Sequence, residues 1–178
     1  LSVVAADQPG RADAARAWRP ELVSRERFEA LVEVSEVDVR RLDDPTLRGF
    51  DACWSCGVIN ELSSAHQAEE TLINAMDVLR PGGVAVHIAD FAFADEQLAQ
   101  GGTQLTKAFF VSLAKALNGR GHKVAPLDFG LGDHPLDGYV DAPPFGETLL
   151  GGRFDTPHLK VLLGGAVRTS FAMIVTAR

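Results

Sequence analysis

The sequence predicts an α/β domain, a doubly wound and mostly parallel sheet that closes on an antiparallel hairpin. Three observations predict it. Residues 50–90 read as strand, amphipathic helix, Arg-Pro-Gly-Gly turn and strand, one continuous βαβ unit. Two parallel strands need such a crossover between them. The chain opens on an apolar strand, residues 1–6, that ends on the carboxylate of Asp7. Near the other end, Gly164-Gly165 separates two apolar runs and signals a two-residue hairpin.

The elements follow in order. The first strand centres on Val3 and Val4, and Gln8-Pro9-Gly10 breaks it. Residues 11–18 are Ala-rich and predict a short helix that stops before Pro20. Ser24 is placed to cap a helix over 25–31. Val32, Val34, Val37 and Val39 make a β-branched second strand ending near Asp38. Asp43-Asp44-Pro45 turns the chain, and residues 50–55 form a third strand.

Ser63 or Ser64 then caps a helix over 65–79. Its apolar positions, among them Ala68, Leu72, Ala75 and Met76, recur at three and four residues. Arg80 falls in its last turn, where a cation suits the helix dipole. Pro81-Gly82-Gly83 turns the chain into a fourth strand, 84–89, apolar as a central strand covered on both faces should be. A second amphipathic helix covers 104–117, and a fifth strand covers 123–129. Residues 130–153 are rich in Gly, Pro and Asp and predict a long loop. Residues 159–163 and 168–176 form the closing hairpin.

A length of 178 residues predicts one domain, 1–178, and 46% hydrophobic residues can fill its core. The net charge is −7 and no Lys/Arg cluster stands out, which argues against a nucleic-acid partner and for a small-molecule substrate. No apolar run is long enough to cross a bilayer. Two cysteines without a disulfide framework suit a reducing, cytoplasmic compartment. The first residue is Leu and a strand begins at once, so the chain reads as a fragment missing its beginning. The strand edge so exposed favours homo-oligomers.

Several side chains carry candidate chemistry. A carboxylate at the carboxyl end of a parallel strand, as at Asp7, can accept both hydroxyls of a ribose. Cys53-Trp54-Ser55-Cys56 has redox or half-zinc spacing. Cys53, however, belongs inside a strand and no second pair exists, so both thiols read as buried and structural, with no metal. His87 lies in the apolar fourth strand and reads as a satisfied core histidine. Asp133-His134-Pro135 reads as solvated loop.

A strand ending in Asp7, a strand ending at Asp38-Val39, the Phe-Asp-Ala-Cys-Trp-Ser strand and the Leu-Arg-Pro-Gly-Gly-Val-Ala-Val-His turn come in that order. This order resembles the class I S-adenosylmethionine-dependent methyltransferases from their second strand to their C-terminus. The resemblance implies a Rossmann-like fold and S-adenosylmethionine as cofactor. Asp7 and Gln8 would then meet the ribose. Asp38 would accept from the adenine amino group, and the Val39 N–H would meet a ring nitrogen. Ser55, Cys56 and Gly57 would lie where the third strand reaches the cofactor. Asn60 and Glu61 would face substrate, where either orients a nucleophile and a buried Glu61 acts as general base. Asp90 would touch substrate.

The sequence departs from that family at one place. The family's first strand ends in a glycine-rich turn whose backbone lies against the cofactor. No such motif precedes Asp7, and the domain reads as one lacking its first strand. Asp128-Phe129-Gly130-Leu131-Gly132-Asp133 looks like a displaced copy, but Pro126 interrupts its strand and no helix follows, so it reads as loop. The chain is therefore expected to bind the cofactor weakly or not at all, and to act as an enzyme only if that motif is supplied. The acceptor would be a small molecule or a glycan. Two other readings stand beside this one: a nicotinamide-dependent Rossmann enzyme, and a non-catalytic remnant or partner subunit.

Overall fold

The computed structural model describes residues 2–42, 44–93, 105–143 and 160–178. Asp43, Gln104, Leu159 and the expected loop beyond residue 143 lie outside the described residues. The chain divides into two compact units, Leu1–Leu47 and Arg48–Arg178.

In the first unit, strands β1 (Val3–Asp7) and β2 (Val32–Glu36) pair in parallel, with Val3 opposite Val32 and Asp7 opposite Glu36. Between them lie helices α1 (Ala14–Ala17) and α2 (Arg25–Leu31). Helix α1 is shorter than expected. Asp13 caps it by accepting from the Ala15 N–H at 2.8 Å, so the helix opens only at Ala14. Ser24 caps α2 as expected, accepting from the Arg27 N–H at 3.4 Å. The indole N–H of Trp18 donates to the Val23 carbonyl at 2.9 Å, and Arg25 lies over its ring. Strand β2 stops at Glu36, short of Asp38. The Val37 N–H still reaches the Asp7 carbonyl at 2.8 Å, and a turn built on Asp38 then bends the backbone away. The core here is small: among the described residues of this unit, only Phe28 and Val37 are buried apolar side chains.

The second unit opens with β3 (Phe50–Cys56), a 3₁₀ turn (Val58–Glu61) and α3 (Ala65–Asn74). It continues through β4 (Leu79–Ala92), β5 (Leu105–Thr106), α4 (Lys107–Gly119) and β6 (Lys123–Val124). Strands β7 (Val140–Asp141), β8 (Lys160–Leu163) and β9 (Ala166–Thr176) complete it. The sheet order is β3-β4-β9-β8-β7, with β5 on β4 and β6 on β9. Strands β3 and β4 run parallel, and β9 runs antiparallel to both β4 and β8. Gly164 and Gly165 both adopt positive φ, which a two-residue hairpin with matching twist requires.

Three expectations need correction. Helix α3 ends at Asn74 rather than Leu79, tightening into a 3₁₀ turn over Ala75–Val78. Arg80 is thus not a helix-terminal cation; its Nε donates to the Asp51 carboxylate of β3 at 2.7 Å. The fifth strand is only two residues long. Its last ladder bond runs from the Ala125 N–H to the Ile174 carbonyl at 2.9 Å, and Pro126 has no N–H to continue it.

Pro81-Gly82-Gly83 forms an irregularity within β4. Gly82 has φ +79° and donates to the Ala177 carbonyl at 3.0 Å, while the Gly83 carbonyl accepts from the Ala177 N–H at 2.8 Å. A Cβ on Gly83 would lie 3.0 Å from the carbonyl oxygens of Arg80 and Phe50, so only glycine fits there without a shift.

Side chains alternate across the sheet, as the strand period dictates. Ala85, His87, Ala89 and Phe91 of β4, with Phe171, Met173 and Val175 of β9, point to the buried face. Helix α4 packs there through Phe110, whose ring lies 4.7 Å from that of Phe171. The opposite face is more open. Trp54, Val86 and Ile174 stand in one row across β3, β4 and β9, with Trp54 68% and Ile174 44% exposed.

Candidate functional site

Strand ends place the candidate residues in two groups, one in each unit. In the first, Asp7 is exposed at the end of β1. Its Oδ1 accepts from the Gln8 N–H at 2.7 Å. Its Oδ2 has no partner among the described residues, so one carboxylate oxygen stands ready for a hydroxyl. Gln8 is half-buried beside it. The register partner of Asp7 is Glu36, whose carboxylate accepts from the Gly10 N–H at 2.8 Å and so holds the turn that follows Asp7. A cavity of about 550 Å³ opens here, lined by Asp7, Ala5 and Ala6 of β1, Val34 of β2 and residues of α1.

Asp38 and Val39 are half-buried, just past β2. Arg40 takes both carboxylate oxygens of Asp38, its Nε and Nη2 each at 2.7 Å, and the Arg40 N–H adds a bond at 3.0 Å. These hydrogen bonds from Arg40 hold the Asp38 carboxyl down to about 2. Asp38 is thus a fixed anion with a preset orientation.

The second group lies at the ends of β3 and β4. Gly57 adopts φ +74° and donates to the Ile88 carbonyl at 2.9 Å, extending the ladder one step before the chain leaves the sheet. Asn60 in the 3₁₀ turn grips the backbone of Asp90: Nδ2 donates to its carbonyl and Oδ1 accepts from its N–H, both at 2.8 Å. The Asp90 carboxylate accepts from the Ser170 hydroxyl at 2.9 Å. Glu61 is exposed, so the burial that general-base work by Glu61 called for is not present.

Ser55 is half-buried, its Oγ 2.9 Å from Nδ1 of His87 on the neighbouring strand. The sequence reading made His87 a satisfied core histidine. It is buried, and Nδ1 is satisfied, but Nε2 has no partner among the described residues. Burial pushes its pKa down to about 4. The two cysteines differ. Cys53 is half-buried and its thiol is pushed up to about 11 by burial, whereas Cys56 is exposed, contrary to the expectation that both are buried. Three residues apart on a strand, they project to opposite faces and do not form a dithiol pair. Among the described residues no group of three His, Cys, Asp or Glu is placed to hold a metal, and no helix is long and apolar enough to cross a membrane.

Sequence reasoning missed Glu36, Arg40 and Ser170. The register of a parallel pair starting at Val3 and Val32 leads to Glu36. The Asp-x-Arg spacing was a signal for Arg40. Ser170 is 80 residues from Asp90 and left no local signal.

No family model and no curated protein matches the sequence. Solved structures do match its fold. TehB from Haemophilus influenzae matches with a TM-score of 0.57 at 12% identity, over 100% of this chain and 50% of its own. An O-methyltransferase family protein from Burkholderia thailandensis matches at 0.55 and 13%, over 99% of this chain and 44% of its own. CrArsM, an arsenic(III) S-adenosylmethionine methyltransferase from Chlamydomonas reinhardtii, matches at 0.51 and 17%, over 99% and 55%. The chain spans about half the length of these structures. The mixed α/β fold expected from the sequence, Rossmann-like with an antiparallel end, is thus the fold observed.

Proposed function

We propose that this chain carries the nucleoside end of an S-adenosylmethionine site and serves methyl transfer to a small-molecule or glycan acceptor in the cytoplasm. The observation that carries the reading is Asp7. It ends a parallel strand, keeps one carboxylate oxygen unpaired and lines a cavity, which suits a ribose diol. Asp38 fits the adenine amino group as a second acceptor, oriented by Arg40. Structures of the same fold include methyltransferases, which supports the cofactor.

When bound, the cofactor supplies a methyl group activated by its sulfonium, so the chain's own work is alignment and water exclusion. Gly57 lets the backbone at the end of β3 approach a ligand closely, and Asn60 fixes Asp90 at the end of β4. Asp90 is the better candidate for touching an acceptor, because its side chain is half-buried and held by Ser170, while Glu61 is exposed. A glycine-rich turn for the methionine end is not among these 178 residues. By itself the chain is expected to bind the cofactor weakly or not at all.

The test is competition between radiolabelled S-adenosylmethionine and either S-adenosylhomocysteine or NAD. Displacement by S-adenosylhomocysteine alone supports the reading, and displacement by NAD alone moves the chain to the nicotinamide enzymes. Absence of any nucleoside binding supports a non-catalytic subunit.

A further inference from the structure

The cavity at the end of β1 is cationic in an acidic chain. The sequence has 24 acidic and 17 basic residues, yet Arg11, Arg16 and Arg19 line this concavity together with Asp7 and Asp13. Asp13 caps α1 through one carboxylate oxygen. Arg19 is committed, its Nη1 donating to the carbonyls of Arg16 at 2.7 Å and Trp18 at 3.1 Å. The guanidinium groups of Arg11 and Arg16 meet no carboxylate among the described residues. Two guanidinium groups that meet no carboxylate among the described residues, and the half-used carboxylates of Asp7 and Asp13, therefore line the same space.

We propose that this cavity binds a phosphorylated ribose, free or within a nucleotide, with the phosphate on Arg11 and Arg16 and the hydroxyls on Asp7. The hydroxyl half rests on the reading of Asp7 given above; the phosphate half does not. A guanidinium presents a planar fork of donors that matches phosphate oxygens, and it stays charged at every ordinary pH. A cavity of about 550 Å³ suits a ligand of nucleotide size. S-adenosylmethionine has no phosphate, so such a ligand uses Arg11 and Arg16 where the cofactor does not, and it competes with the cofactor for Asp7.

The test titrates the full chain, by calorimetry or amide chemical shifts, with ribose 5-phosphate, adenosine 5′-monophosphate, adenosine and ribose. Ribose 5-phosphate is expected to bind at least about tenfold tighter than ribose, and Arg11→Gln with Arg16→Gln to remove that advantage while adenosine binding stays unchanged. Arg11→Lys with Arg16→Lys, which keeps the charge, is expected to restore part of it. Tighter binding of the monophosphate than of ribose 5-phosphate identifies a nucleotide as the ligand; equal binding identifies the sugar phosphate. A phosphate advantage that is absent, or that survives the double glutamine variant in a chain with unchanged circular dichroism, overturns the proposal. If Asp7→Asn leaves adenosine binding intact while the arginine variants still lose the phosphate, the ribose reading of Asp7 fails and the phosphate site stands.

Discussion

Asn60 closes a ring with the backbone of Asp90, giving one hydrogen bond and taking one, each 2.8 Å long. The two residues lie 30 positions apart. Their bonds tie the turn after β3 to the carboxyl end of β4, where a doubly wound fold places its ligands. A turn that leaves a sheet has no ladder to hold it, and here a side-chain amide takes the place of a neighbouring strand. The role is one of positioning.

Asn60→Ala should therefore lower stability. Two part-buried backbone groups lose their partners, which costs about 1–3 kcal/mol. Urea denaturation followed by circular dichroism measures it. An unchanged midpoint together with lost activity would return Asn60 to a purely catalytic role.

The two glycines of the β4 irregularity should respond differently to alanine. Gly82 has open space around it and positive φ, so Gly82→Ala should cost about 1–2 kcal/mol of backbone strain. Gly83→Ala forces a Cβ against three backbone oxygens and should cost more, in the upper part of about 1–3 kcal/mol or above. Denaturation midpoints of the pair give the order, and a more damaging Gly82→Ala would contradict the geometry.

How much of this was legible in the sequence depends on the range of the interactions. The bodies of α3 and α4, the Ser64 cap and the glycine hairpin depend on neighbours within a few residues and read out directly, whereas the ends of both helices did not: α3 stops at Asn74, and α4 opens only at Lys107, after Leu105 and Thr106 pair with β4. The end of β2 did not, because Val37 still pairs with Asp7 while Asp38 already turns toward Arg40. Arg80 was misplaced for a similar reason: its partner, Asp51, is set by strand pairing and not by helix periodicity. For the site, the acidic strand ends were visible as residue types, whereas what each carboxylate already holds was not. Glu36 on Gly10 and Ser170 on Asp90 are consequences of folding, 26 and 80 residues apart, while Arg40 on Asp38 is a local contact that only the Asp-x-Arg spacing signals.

Asp7→Ala should weaken binding of adenosine and of S-adenosylmethionine by about 1–3 kcal/mol, the usual loss for a charged hydrogen-bonding group. Its carboxylate caps only the adjacent Gln8 N–H, so stability should change little. Equal affinities in the two proteins would assign Asp7 to the turn alone.

His87 should make stability depend on pH. Burial lowers its folded pKa to about 4, below the ordinary value of 6.5, so the unfolded chain binds the proton first. The neutral imidazole is compatible with the fold above about pH 6.5, and stability falls as pH drops from there toward 4. A shift of this size corresponds to about 3 kcal/mol at the low end of that window. The signature is a urea midpoint that declines between pH 7 and pH 4.5 and declines less in His87→Gln. Parallel declines in the two proteins would locate the sensitive group elsewhere.

The row Trp54–Val86–Ile174 should drive self-association. The row starts on β3, at the end of the sheet order, and its side chains stand partly or largely exposed on one face. Burying a tryptophan and an isoleucine against a second copy removes apolar surface worth about 25 cal/mol per Å² from water. Single exposed apolar residues are ordinary, but a registered row across three strands is a patch. Sedimentation velocity should show mass rising with concentration for the wild type. Trp54→Ser with Ile174→Lys should give a smaller species, because the substitutions keep the buried face intact while placing a charge on the open one. A monomer for both proteins across the micromolar range would mean that the row is too small to hold two copies together.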